Sequence, residues 1–126
     1  MPRKDSQSKS TIADNVDKYE LYEESVQCAE AEIDFIEEQF HELRGRYARS
    51  LREDFCGTAR VCKEWIDRSN KNYAVGVDID RTVLDWGYNK HFLNLSERKK
   101  SRIKLINSDV LKIGDGAHDV ICATNF

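Results

Sequence analysis

One short stretch decides the fold: Leu51-Arg52-Glu53-Asp54-Phe55-Cys56-Gly57-Thr58-Ala59, where a strand pattern turns into a helix pattern. The residues from Arg49 to Glu53 can complete a buried strand. The residues after the stretch place apolar side chains on one face of a helix that runs to about Ser69, namely Val61, Cys62, Trp65 and Ile66. Gly57 permits a backbone angle, or a close ligand approach, that a Cβ would forbid. Such a corner points N–H groups and a positive helix end at one spot, which suits anionic or polar ligand groups.

A second buried strand follows the corner, Tyr73-Ala74-Val75-Gly76-Val77, and it ends in Asp78-Ile79-Asp80. Strand, corner, helix and a second strand ending in an acid form the βαβ nucleotide-binding unit, in which the second acid accepts hydrogen bonds from ribose hydroxyls. An ordinary βαβ unit with merely solvated acids is the alternative. The second strand has no polar face, which predicts helices on both faces of the sheet.

The segments Glu53–Ala59 and Gly76–Asp80 together resemble the first two motifs of the class I methyltransferases that use S-adenosylmethionine. The usual form of the first motif in that family is Asp/Glu-x-Gly-x-Gly-x-Gly. This chain keeps the acid as Glu53 and the central glycine as Gly57. It carries Phe55 and Ala59 where the flanking glycines usually stand. The resemblance covers about residues 19–126.

The resemblance implies an α/β fold with a Rossmann-like open parallel sheet, helices on both faces and preceding N-terminal helices. The family sheet has seven strands in the order 3-2-1-4-5-7-6, and about four are readable here. We therefore expect a disordered tail at residues 1–14, then the N-terminal part of a methyltransferase-like domain at 15–126. A chain truncated after the fourth strand is expected to be inactive alone, with an open sheet edge that can pair with another chain.

The resemblance also implies where S-adenosylmethionine binds. Open parallel sheets hold ligands outside the carboxyl ends of their strands. Glu53 and the backbone of Cys56 and Gly57 are expected to face the methionine end of the donor. Asp78 is expected to accept from the ribose hydroxyls, and Ile79 to lie against the adenine.

The remaining expected contacts follow the third and fourth strands. Asp109 is expected to accept from the adenine amino group, with Val110 offering its N–H. Asn125, together with Phe126, is expected to begin the segment that faces the methyl group and the acceptor. The acceptor and the catalytic residues stay unidentified at this stage.

The expected chemistry needs neither a metal nor a covalent nucleophile, since methyl transfer is a direct displacement that depends on positioning. A sulfonium donor is cationic, which suits an acid-lined pocket, and it has no pyrophosphate to cradle. One rival interpretation is an NAD-type nucleotide-binding domain, but the Gly-x-Gly-x-x-Gly pattern is absent. A second rival is a module that binds S-adenosylmethionine, or a protein partner, without chemistry.

Composition limits the remaining possibilities. A chain of 126 residues with 40% hydrophobic and 34% charged residues suits one globular domain. The formal net charge of −3 gives no pull toward nucleic acid or acidic membranes, and the absence of a long apolar run predicts a cytoplasmic protein. The four cysteines form no Cys-x-x-Cys pair, so buried free thiols are favoured over a zinc site. Cys56 is interpreted as packed within the corner, although a helix N-terminus can make a thiol reactive.

Periodicity predicts the other elements. Helices are expected at Asn15–Gln27, at Ala29–Leu43 before Gly45, and from Arg81 to about Leu95, where Gly87 weakens the pattern. Ser96–Arg102 is interpreted as a solvated basic loop. Strands are expected at residues 102–106 and 117–123.

Overall fold

The computed structural model describes residues 29–114 and 116–123, which form alternating strands and helices around a parallel sheet. The predicted helix Asn15–Gln27 lies outside these residues. In chain order the elements are α1 (Ala29–Arg44), β1 (Ser50–Asp54), α2 (Arg60–Arg68), β2 (Tyr73–Asp78), α3 (Arg81–His91), α4 (Glu97–Lys100), β3 (Ile103–Asn107), a 3₁₀ turn (Val110–Lys112) and β4 (Val120–Cys122).

The four strands pair in the order β3-β2-β1-β4, and all of the pairs are parallel. Leu51 of β1 is in register with Ala74 of β2 and with Val120 of β4, and Ala74 is in register with Ile103 of β3. The order reverses beside β1, which is the switch point where such sheets hold ligands. The predicted Rossmann-like sheet and its strand order are therefore confirmed, and β4 is an edge among the described strands.

The core lies between one face of this sheet and the helices α1, α2 and α3. The four apolar residues predicted to share a face of α2 are all buried there: Val61, Cys62, Trp65 and Ile66. The indole N–H of Trp65 is within hydrogen-bond distance of the carbonyl oxygens of Arg49 and Tyr73, 3.1 Å from each. One side chain therefore ties α2 to the starts of β1 and β2.

The opposite face of the sheet carries Arg52, Tyr73 and Ile121, which alternate with the core residues along their strands. Tyr73 and Ile121, which point to that face, are 54% and 50% exposed. On this face the β3–β4 connection reaches Arg52 through the carbonyl of Gly114. Within the described residues, the run from β3 to β4 contains the 3₁₀ turn Val110–Lys112.

Three local expectations are corrected. The segment predicted as a basic loop contains the short helix α4, which begins because the Ser96 hydroxyl accepts a hydrogen bond from the N–H of Lys99. Leu43, whose spacing from Ile33, Ile36 and Phe40 predicts that it shares the apolar face of α1, is 79% exposed near the end of that helix. α3 ends at His91, earlier than predicted, although Phe92 beyond it is fully buried. Gly45 terminates α1 as predicted, with φ of 72°.

Candidate donor-binding site

The corner between β1 and α2 has an unusual backbone. Phe55, Gly57 and Ala59 all have positive φ angles, of 58°, 59° and 64°. These are the three positions at which the family motif usually has glycine. The chain therefore adopts a glycine-type backbone at all three positions while supplying one glycine. Positive φ is a genuine outlier for a bulky residue such as Phe55, and backbone strain of this kind clusters at functional sites.

Two further glycines let the corner pack tightly against its neighbours. A Cβ at Gly76 of β2 would lie 2.9 Å from the sulfur of Cys56. A Cβ at Gly87 of α3 would overlap the backbone of Thr58. The sequence indicated Gly87 only as a weakness in its helix, but the structure gives it a role, since α3 approaches the corner at that residue.

The carboxylate of Asp78 links the end of β2 to the corner. Its Oδ2 accepts a hydrogen bond from the N–H of Gly57 at 2.9 Å, and its Oδ1 accepts from the N–H of Asp80 at 2.9 Å. A carboxylate has about four lone-pair sites, so these two bonds leave room for two more acceptor contacts. The side chain of Asp80 in turn caps α3 by accepting from Thr82 and Val83.

Asn107, at the end of β3, holds the segment that follows β2. Its Nδ2 donates to the carbonyl oxygens of Asp78 and Ile79, at 3.1 and 3.0 Å. The Ile79 side chain, 71% exposed, is left as an apolar surface beside Asp78. The sequence analysis did not identify Asn107 as a site residue. Its position directly at a strand end, opposite Asp78 in the register, was the available signal.

Asp109 follows β3 and caps the 3₁₀ turn. Its Oδ1 accepts from the N–H of Leu111 at 2.9 Å, and its carbonyl accepts from the N–H of Lys112 at 2.9 Å. Asp109 and Val110 are both half-buried, whereas Leu111 is 88% exposed. The turn therefore fixes the Asp109 carboxylate at the carboxyl end of the sheet, on the same edge as Asp78.

Glu53 lies deeper than the other acids. Its side chain is fully buried on the helix-covered face, where its Oε1 is 3.5 Å from the thiol sulfur of Cys62. Burial raises the pKa of the Cys56 thiol well above its ordinary range, and the charges of Glu53 and Asp78 raise it further. Burial and Glu53 likewise raise the pKa of Cys122 to about 12. These thiols are packing groups and not activated nucleophiles.

The predicted site residues thus separate into three groups. The corner, Asp78, Ile79, Asp109 and Val110 lie at the carboxyl edge of the sheet, as expected from the strand order. Glu53 lies beneath that edge, and Asn125 and Phe126 lie outside the described residues. Within residues 29–114 and 116–123, no group of three His, Cys, Asp or Glu side chains could hold a metal ion.

A surface depression of about 530 Å³ lies away from this edge, beside α1. Asp34, Glu38, His41 and Tyr47 are among its lining residues, and none of the predicted site residues lines it. His41 and Tyr47 stack there at a centroid distance of 4.4 Å. The carboxyl edge is the better candidate for a ligand-binding site. There a strained backbone lies beside the backbone N–H groups of the corner and beside acids from neighbouring strands. No helix in the described part of the chain is both long and apolar enough to cross a membrane.

Neither a protein-family model nor a curated protein sequence matches the chain, whereas solved structures do. The methyltransferase domain of bacterial CtHen1 aligns with a TM-score of 0.63 and 16% identity, over 77% of this chain and 48% of that one. The plantazolicin methyltransferase BamL, solved with a triazolic desmethylPZN analog and SAH, aligns with a TM-score of 0.66 and 14% identity, over 93% and 42%.

A third similar structure is the sugar N-methyltransferase KedS8 from Streptoalloteichus, with a TM-score of 0.62 and 20% identity, over 85% of this chain and 39% of that one. In each of the three alignments the chain covers less than half of its neighbour's length. At this level of sequence identity, the similarity shows that the backbones follow the same path, which means a shared fold. The chain has the class I methyltransferase fold.

Proposed function

We propose that the carboxyl edge of this sheet binds S-adenosylmethionine as the donor for methyl transfer. The observation that carries the proposal is the glycine-type backbone at Phe55, Gly57 and Ala59, tied to the acid at the end of β2 by the bond from Gly57 to Asp78. Phe55 and Ala59 adopt this backbone conformation although their side chains make it strained. Backbone strain of this kind clusters at ligand-binding sites, and Gly57, which has no Cβ, lets a ligand come close to the corner.

The donor's nucleoside half is assigned to the residues that follow β2 and β3. The two remaining acceptor sites of Asp78 receive the ribose hydroxyls, and the exposed Ile79 lies against one face of the adenine. The Asp109 carboxylate accepts from the adenine amino group, and Val110 offers its N–H. This assignment uses side chains that the structure holds in place through Asn107 and the 3₁₀ turn.

The methionine half is assigned to the corner. Backbone N–H groups at Cys56 and Gly57 lie at the start of the turn into α2, where they donate to the carbonyl of Val77 and the carboxylate of Asp78. Glu53 is fully buried and contributes its negative charge from below the corner, which favours the cationic ammonium and sulfonium groups. Asn125 and Phe126 are assigned to the methyl and acceptor side.

The chemistry proposed is in-line displacement, for which the protein supplies positioning. BamL was solved with SAH, so a related protein of this fold holds the demethylated donor. A non-catalytic module that binds S-adenosylmethionine is the second candidate, and turnover by the chain would exclude it.

Titration calorimetry tests the proposal with three ligands: S-adenosylmethionine, S-adenosylhomocysteine (SAH) and NAD. We expect heat from the first two and none from NAD, because the corner has no glycine-rich pyrophosphate cradle. Binding of NAD alone would refute the methyltransferase interpretation. Adding radiolabelled donor and a cell extract then tests for turnover, and transfer of label by the chain would favour a methyltransferase over a binding module.

A further inference from the structure

Arg52 occupies an unusual place for a cationic side chain. It lies in the middle of β1 and points to the sheet face opposite the α-helices, yet its relative exposure is only 4%. A buried charge is costly unless its hydrogen bonds are satisfied. The partners of Arg52 therefore indicate what the side chain does.

The guanidinium of Arg52 joins two parts of the candidate site. Its Nε donates to Asp54 Oδ1 at 2.7 Å, and Asp54 is the last residue of β1 before the strained corner. Its Nη1 donates to the carbonyl oxygen of Gly114 at 2.6 Å. Gly114 belongs to the β3–β4 connection, whose first residues after Ser108 are Asp109 and Val110. Arg52 thus spans from the corner to the connection that carries the proposed adenine contacts.

We propose that Arg52 is a positioning residue that holds the β3–β4 connection against the sheet so that Asp109 faces the donor's base. This inference rests on the proposed function and extends it to donor specificity. The planar guanidinium suits the task because Nε and Nη1 donate in different directions from one rigid group. A lysine carries the same charge but has a single terminal nitrogen, which cannot reproduce this geometry.

The first test needs no ligand. Hydrogen exchange measures how firmly the connection is held, through the amides of Leu111, Lys112 and Ile113, which bond to Asp109 and Val110. In Arg52→Lys we expect these amides to exchange about tenfold faster or more, while the amides of α2 keep their protection. Unchanged exchange in the connection would overturn the proposal. A uniform increase over the whole chain would also overturn it, since that indicates general destabilisation.

The second test measures base recognition by the intact chain. The probes are SAH and S-inosylhomocysteine, in which a carbonyl oxygen replaces the adenine amino group. Loss of a hydrogen bond to a charged acceptor costs roughly tenfold in affinity or more, so the native chain should prefer SAH by about that factor. In Arg52→Lys the preference should fall to about twofold or less.

A matched control is Arg49→Lys, because Arg49 lies in the same region of the chain but its side chain bonds to Ser69 and Asn72 and not to the β3–β4 connection. It should keep the native preference. If Arg52→Lys does not fold, Asp54→Asn removes the charge that holds Nε and should lower the preference partway. A preference that is equal in all variants overturns the positioning role, while a native chain that binds neither probe refutes the proposed function itself.

Discussion

The Asp78 carboxylate accepts a hydrogen bond from the N–H of Gly57 at 2.9 Å, across 21 positions of sequence. The same carboxylate also accepts from Asp80, two residues further on. One side chain therefore sets both the corner after β1 and the turn after β2. The residues that follow these two strands are the ones assigned to the donor, so the fold and the site depend on the same bond.

Replacing Asp78 with Ala should weaken the binding of SAH roughly tenfold or more, because it removes the acceptor for the ribose and releases the Gly57 N–H. Titration calorimetry measures the dissociation constant. The control is Asp85→Ala, which removes an exposed carboxylate of α3 that pairs with Arg81 on the surface. A folded Asp78→Ala chain that binds SAH with the native constant would show that Asp78 does not contact the ribose.

Much of this arrangement could be predicted from the residues. Periodicity located β1, β2, α1 and α2 because their apolar side chains recur at strand or helix spacing. Acids directly after apolar strands located Asp78 and Asp109, since parallel strands bring their carboxyl ends to one edge. These inferences succeeded because each depends on neighbours in sequence.

Other features depend on contacts between distant residues. Gly87 seemed a flaw in its helix because its partner, Thr58, is 29 positions earlier. Leu43 fits the apolar stripe of α1, but nothing in the stripe indicates that the core ends before it. The positive φ angles of Phe55 and Ala59 have no signal in residue type, since neither residue favours them. Only the family motif placed glycines at those positions.

The strain at Ala59 leads to a stability prediction. A non-glycine residue in the left-handed region costs roughly 1–2 kcal/mol. Ala59→Gly removes that cost, which should offset the lost methyl contact and the greater freedom of the unfolded chain. The control is Ala74→Gly in β2, which is similarly buried but has no strain to release. By urea denaturation, Ala59→Gly should be less destabilising than Ala74→Gly by at least about 1 kcal/mol. Equal losses would mean that Ala59 is not strained.

Gly87→Ala should reverse the usual effect of this substitution. In an exposed helix interior the change from glycine to alanine stabilises by about 1 kcal/mol. Here the added Cβ overlaps the backbone of Thr58, so overpacking should instead destabilise by roughly 1–3 kcal/mol and weaken SAH binding by moving the corner. Gly114→Ala is the control, because an added Cβ there meets no atom within 4 Å. A stabilised Gly87→Ala chain would contradict the close approach of α3.

Asp119 joins the start of β4 to the start of β1. The Arg46 guanidinium donates to its Oδ1 at 3.1 Å, and the backbone N–H of Arg49 donates to its Oδ2 at 2.7 Å. Chiefly through Arg46 and then Arg49, these bonds lower the pKa of Asp119 from 3.8 to about 2. Because the folded-state pKa is the lower one, the stabilisation is fully present above about pH 4 and is lost as the pH falls toward 2.

Acid titration of stability tests this link between the strands. Lowering the pKa from 3.8 to about 2 corresponds to roughly 2.5 kcal/mol of folding stability. Because the Arg46 side chain is exposed, water screens the ion pair and reduces this contribution to about 1–2 kcal/mol. The native chain should therefore lose about that much more free energy of unfolding between pH 4 and pH 2 than Asp119→Asn, which has no charge to titrate. Urea denaturation at each pH measures the difference, with Asp85→Asn as the control that should follow the native curve. If Asp119→Asn follows the native curve too, the ion pair between Arg46 and Asp119 does not hold β4 to the sheet. The position of β4 beside β1 would then depend on the pairing of the two backbones.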